Sequence, residues 1–232
     1  MAEAPRLRLN FGLILLSLHK PLDVAEQIAT VDVMSGGKVI FGVALGYRDV
    51  EFLAFGTAQK ERVRRFEENL EAVRRLWTED SVDMVASHFI LKGASASPRP
   101  VQKPHPPIWI GGDADAQLKR AARFASGWIP FLTQPKEFPA KIDVIKSQPT
   151  YNGGPFEVCY GLGTSLIGEG HVVIDDPTQQ AGMTAPEIID RLGWFAELGV
   201  TMSSVPIPPV KDVNAYLDYA QWVIEEIKPK VP

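Results

Sequence analysis

The feature that most constrains this chain is an alternation. Short apolar runs rich in β-forming residues are separated by longer stretches whose apolar positions recur every three or four residues. That rhythm calls for strand–helix units on a parallel sheet rather than a sandwich, whose strands would follow one another directly. The first run, Leu7 to Leu16, reads as a buried strand. Pro21 opens a helix in which Leu22, Ala25, Ile28, Ala29 and Val33 share a face, and Ser35-Gly36-Gly37 stops it. Val39 to Leu45 is the next strand. After a polar loop, Arg62 to Trp77 is strongly amphipathic: Phe66, Leu70, Val73 and Trp77 lie on the buried face, Glu67, Glu68, Glu71, Arg74 and Arg75 on a solvated one.

Residues 80–107 break the rhythm. Val82 to Leu91 fits a hairpin, and the Pro-rich run Pro98 to Pro107 can continue neither a helix nor a central strand, so this stretch is an excursion outside the repeat. The alternation then resumes. Strands are expected at Ile108–Gly112, Gly127–Phe131, Val158–Ile167 and Val200–Val205, and helices at Asp115–Phe124, Glu137–Ser147, Ala185–Leu198 and Val213–Ile227. With no linker or low-complexity segment, residues 1–232 read as a single domain.

Composition narrows the function classes. With 45% of its 232 residues apolar, the chain can bury a core, which excludes disorder and a small disulfide scaffold. Lys and Arg total 24 against 28 Asp and Glu, a net charge of −4, so there is no positive field to hold a nucleic acid. Cys159 is the only cysteine, which rules out an intrachain disulfide, a cysteine zinc cluster and a redox pair, and fits a cytoplasmic setting. Leu13 to Leu18 is too short to span a bilayer, and the first residues do not form a secretion signal.

Few residues carry chemistry by pattern alone. His19, His88, His105 and His171 are scattered without ligand spacing, so no metal site is expected. Ser35-Gly36-Gly37-Lys38 lacks the frame of a phosphate loop, Gly163-Thr164-Ser165 lacks that of a nucleophile elbow, and no Rossmann glycine fingerprint occurs. Gly111-Gly112-Asp113 leads from a strand into a helix, where bare backbone could approach a cofactor phosphate; the alternative is a tight turn.

Three blocks in order carry a resemblance. Ala29-Thr30-Val31-Asp32-Val33-Met34-Ser35-Gly36-Gly37-Lys38 leads into Phe41-Gly42-Val43-Ala44-Leu45-Gly46-Tyr47. Glu61-Arg62 runs through to Leu76-Trp77. Pro100-Val101-Gln102-Lys103-Pro104-His105-Pro106-Pro107 precedes Ile108-Trp109-Ile110-Gly111-Gly112, and the pattern continues to Gly127-Trp128. Together they resemble the bacterial luciferase-like monooxygenase family over residues 7–131; the rest fits by topology only. The resemblance implies a TIM-like (β/α)8 barrel carrying reduced FMN or F420 at the C-terminal ends of its strands, in a homodimer. The chain departs from the family in starting at what resembles the third strand, so the first two βα units and a histidine common there have no counterpart. Ser126 stands where an Asp is frequent, and Ala44 and Leu45 where a Gly and a polar residue are common.

The same resemblance assigns the candidate site. Asn10, Phe11, Gly12 and Leu13 lie where the family packs a strand, in some members with a cis peptide, against the cofactor ring. Leu45, Gly46 and Tyr47 end the next strand, with Tyr47 able to stack on a ring or donate to it. Gly111, Gly112 and Asp113 complete the cofactor set. Catalytic candidates are Tyr47, Glu51 as an acid or base if buried, and His19, the one histidine following a strand at that end. The implied function is oxidoreduction of a small organic substrate, by hydride transfer with F420 or by monooxygenation with reduced FMN and O2. A second reading is a shortened, non-catalytic flavin-binding or partner subunit. A third, a sugar-phosphate barrel without a redox cofactor, would leave most of the motif blocks unexplained. The substrate-facing loops, residues 49–60 and 168–184, carry no decodable pattern.

Overall fold

The computed structural model describes residues 7–161, 184–205 and 211–232. These fall into two compact units, one running to Gly111 and including Phe124–Ser126, the other made of Gly112–Arg123 and Gly127 onward.

In the first unit, β1 (Leu9–Asn10), β2 (Ile14–Leu15), β3 (Val39–Ala44) and β6 (Ile108–Gly111) form parallel pairs. β3 is the centre: it pairs with β1 at Leu9↔Val39, with β2 at Ile14↔Val43 and with β6 at Phe41↔Ile108. Its Val39, Ile40, Phe41 and Val43 are all buried, the continuous apolar run of a strand covered on both faces. The single strand expected over Leu7–Leu16 is instead two short pieces. The cause lies at Gly42, where a Cβ would stand 2.0 Å from the Phe11 carbonyl oxygen: the chain leaves the ladder after Asn10 and lies over a bare glycine. The Gly12–Leu13 peptide is cis.

α1 (Pro21–Ser35) and α3 (Arg62–Thr78) cover this sheet. Gly36, at φ 66°, ends α1 as expected for a left-handed cap. The predicted α3 face is buried at Phe66, Leu70, Val73 and Trp77; Trp77 stacks edge-on against Phe41 at 5.2 Å and donates its Nε1–H to the Ala25 carbonyl at 2.9 Å. Between them the expected polar loop contains a helix, α2 (Asp49–Ala54), too short to display a period and burying only Phe52. The excursion contains the expected hairpin, β4 (Val82–Val85) and β5 (Ile90–Ala94). The Pro-rich run beyond it is held by Asp32, whose buried carboxylate accepts from the Val101 and Gln102 amides and from Gln102 Nε2.

In the second unit, β7 (Gly127–Ile129) pairs in parallel with β8 (Glu157–Val158). α4 (Asp115–Phe124), whose last residue belongs to the first unit, α5 (Phe138–Lys146), α6 (Ala185–Glu197) and α7 (Val213–Trp222) keep the expected places. The strand expected at Val200–Val205 is reduced to a bridge between Met202 and Cys159. Hydroxyls supply the reason: Thr201 Oγ1 accepts from the Val158 amide and Ser203 Oγ donates to the Tyr160 carbonyl, taking positions that a regular ladder gives to backbone. Most of the expected strand beyond Val158 and the loop 168–184, with His171 and Gly163-Thr164-Ser165, lie outside the described residues, save Cys159–Gly161 and Thr184.

Candidate functional site

The C-terminal ends of the parallel strands in the first unit gather Asn10–Leu13, the turn after β2, and Leu45–Tyr47. Ser17 ties two of these ends together, its hydroxyl donating to the Leu45 carbonyl at 2.6 Å. Asn10 is the notable group. Its Oδ1 is buried and has no hydrogen-bond partner, although a buried amide oxygen ordinarily finds one. Gly12 and Gly42 leave the space around it: a Cβ at Gly42 would stand 3.0 Å from Oδ1, and one at Gly12 3.7 Å from Nδ2.

Leu13 packs on Gly111, where a Cβ would come within 2.2 Å of Leu13 Cδ1. The absence of a side chain at Gly111 is thus explained by a strand-end leucine. Gly46 sits at φ 76° after β3, with Leu15 and Phe52 at 3.4 Å from the position of a Cβ. Tyr47 is 48% exposed, and its carbonyl accepts from Gln59 Nε2 at 2.7 Å. Its phenol is raised above the ordinary value, first by desolvation, with Arg48 opposing and Glu51 adding. Glu51 lies in α2 and faces Arg48 at 3.5 Å, a partly exposed pair and not a buried acid. His19 is half-buried and meets the Phe55 ring edge-on at 5.4 Å; burial holds its imidazole below the ordinary value, so it is neutral at pH 7.

In the second unit Gly112 and Asp113 make a strand-to-helix turn. Gly112, at φ 118°, donates its N–H to the Ile129 carbonyl and accepts from Trp128 Nε1. The Asp113 carboxylate accepts from the amides of Phe131, Leu132 and Thr133 and from the Thr133 hydroxyl, fixing the loop after β7. The Gly112 N–H and the Asp113 carboxylate are therefore engaged within the protein.

Sequence reasoning missed a set of side chains on α3. Arg65 donates to the Ser17 carbonyl at 2.9 Å, and Asn69 donates to the carbonyls of Leu16 and His19 at 2.8 and 3.0 Å. Glu68, expected on the solvated face, accepts from Ser87 and faces His88. The available signal was Asn69 itself, an amide placed between Phe66, Leu70 and Val73 on an apolar face. Among the described residues no cluster of three or more His, Cys, Asp or Glu could hold a metal, and no helix is long and apolar enough to cross a membrane.

Comparison with known proteins is consistent across sequence and structure. A family model for luciferase-like monooxygenases matches residues 1–209. The FMNH2-dependent dimethylsulfone monooxygenase of Pseudomonas putida is 30% identical over 174 residues, 74% of this chain and 46% of that protein, so the chain spans about half the length of this relative. Monooxygenase RslO1 from Streptomyces bottropensis superposes with a TM-score of 0.78 at 22% identity, over 98% of this chain and 79% of that one. The coenzyme F420-dependent tetrahydromethanopterin reductase of Methanopyrus kandleri superposes at 0.70 with 18% identity, over 97% and 83%.

Proposed function

Because this chain belongs to the luciferase-like monooxygenase family, with its TIM-barrel-like α/β fold, we propose that it is an oxidoreductase using F420 or reduced FMN on a small organic substrate. We propose also that it works as a homodimer, as the resemblance of its motif blocks implies. The observation that carries the reading is Asn10 Oδ1: buried, unpartnered, and flanked by Gly12 and Gly42 at a strand end. The pyrimidine edge shared by FMN and F420 alternates C=O and N–H, so it can satisfy an amide in either orientation. The residues present thus fit such a ring. Asn10 would bind that edge, the Phe11–Leu13 backbone would lie along the ring, and Leu45, Gly46 and Tyr47 would border it.

The bound cofactor supplies the redox step, hydride transfer for F420 or oxygen activation for reduced FMN. The chain's task is orientation and exclusion of water. Neutral His19 can donate or accept a proton beside the ring, whereas Glu51, paired with Arg48 in a partly exposed position, is the weaker acid–base candidate. Gly111 enters this reading through Leu13, which it allows to seat, and Gly112 and Asp113 shape the turn and the loop after β7. FMNH2 and F420 both occur in the names of similar proteins, which leaves the choice of cofactor to experiment.

Titration of the chain with F420 and with FMN, each oxidised and reduced, followed by tryptophan quenching, tests the reading. The expected result is saturable binding of one cofactor, weakened about tenfold in Asn10→Ala, the equivalent of one hydrogen bond. Binding that ignores Asn10→Ala would displace the site from this strand end. No binding of either cofactor would favour a non-catalytic member of the family.

A further inference from the structure

We propose that His88, on the hairpin outside the strand–helix repeat, is a positioning residue that acts through Asn69 on the turn Leu16–His19 and so sets the place of His19. The inference rests on the functional reading only for its consequence, since that reading gives His19 an acid–base role.

The bonding pattern leaves little freedom. Asn69 is fully buried, and both of its amide hydrogens are used, on the Leu16 and His19 carbonyls. Its orientation is thereby set, and Oδ1 faces His88 Nε2 at 2.9 Å. An amide oxygen only accepts, so Nε2 carries the hydrogen. The other ring nitrogen, Nδ1, lies 3.1 Å from Glu68 Oε2 and 3.2 Å from Ser87 Oγ. Ser87 in turn donates its amide and its hydroxyl to the Glu68 carboxylate. The hairpin therefore brings a ring whose far nitrogen must be a donor, and Glu68 and Ser87 orient that ring from the near side.

The link does not depend on the charge of His88, because Nε2 is a donor in both the neutral ring and the cation. Burial, with Arg65 and Lys20, disfavours the cation, and Glu68 opposes them. Without His88, the Asn69 oxygen would be buried with no donor, and the amide would be free to turn away from the two carbonyls it holds. Arg65 would then be the one α3 side chain still bonded to this turn, at Ser17.

The test uses the full chain, cofactor-free, with isotope-labelled histidines and His19→Gln for assignment. In the wild type, NMR should find a hydrogen on His88 Nε2 at neutral pH, in the Nε2–H tautomer or in the cation that also donates Nδ1–H to Glu68. In His88→Phe the His19 titration midpoint should rise towards that of a free imidazole as its burial is lost, and His88→Gln, whose amide nitrogen reaches the same place, should restore it. A wild-type Nδ1–H tautomer, or an unmoved His19 midpoint in a folded His88→Phe, overturns the proposal. Should His88→Phe fail to fold, the wild-type tautomer and the His88→Gln midpoint decide. Cofactor affinity read afterwards should fall about tenfold in His88→Phe. A wild type that binds neither F420 nor FMN sinks the functional reading alone, leaving the NMR results to judge the positioning.

Discussion

Gly42 and Gly111 both lack a side chain for steric reasons, and the reasons differ in kind. At Gly42 the obstacle is backbone, the Phe11 carbonyl oxygen at 2.0 Å from a built Cβ; at Gly111 it is the end of a leucine side chain at 2.2 Å. Backbone tied to a neighbouring strand, as Phe11 is by its N–H to the Ile40 carbonyl, does not step aside readily, whereas Leu13 can change rotamer. Gly42→Ala is therefore expected to cost about 3 kcal/mol or more, and Gly111→Ala about 1 kcal/mol. Urea unfolding of the two variants checks the order. A Leu13→Ala, Gly111→Ala double variant should recover part of the Gly111→Ala loss, because the two sites share one contact. Equal losses at the two glycines would show that the Phe11 carbonyl is not held where it stands.

At the scale of elements, Asp32 joins two stretches that are far apart in the chain. Its carboxylate, on the buried side of α1, receives the Val101 and Gln102 amides at 2.9 and 3.0 Å, and Gln102 Nε2 bonds both Asp32 and the Val39 carbonyl. The Pro-rich run has few backbone donors of its own, so these bonds, with the Phe41 amide donating to the Pro107 carbonyl, attach it to α1 and β3. Asp32→Ala is expected to cost about 3 kcal/mol, the removal of charge-assisted bonds that leaves buried donors unmet. It should also make residues 98–107 the first site of limited proteolysis; a variant as stable and as protease-resistant as wild type would refute the staple.

For the molecule as a whole, the three described histidines share one direction of shift. His19, His88 and His105 all lie below the ordinary imidazole value of 6.5, burial being the first cause in each. The unfolded chain then binds more protons than the folded one as pH falls past 6.5. Stability from these groups is full above that value and is lost as pH drops through the folded values. Glu68 and Glu187 add a second loss at lower pH. Burial alone would raise Glu68, but hydrogen bonds from Ser87 and His88 hold it below the ordinary carboxylate value of 4.5, and bonds from Thr184 do the same for Glu187. Urea midpoints should be flat near neutrality and decline on acidification from about pH 6.5. His105→Phe, which removes a partly buried imidazole beside Trp77, should shallow the first part of that decline. An unchanged slope would mean that His105 does not contribute.

Periodicity and turn chemistry were enough, from sequence alone, for the strand–helix order, the α1 stop at Gly36, the buried face of α3, the hairpin and the exclusion of residues 80–107 from the repeat. Those signals are local, repeating over a few residues, and the ordered motif blocks added the family. What the tertiary structure decided depends on residues distant in sequence. Gly42 splits the first strand by receiving Phe11, and hydroxyls from Thr201 and Ser203 replace a ladder that propensity called for. The Gly112–Asp113 turn spends its polar groups on Ile129 and on the loop at 131–133. Glu68 and Asn69 leave the roles suggested by their helix positions because a hairpin some twenty residues on folds back to meet them. A side chain's partner across the fold has no trace in the spacing around it, and it was those partners that set the candidate site.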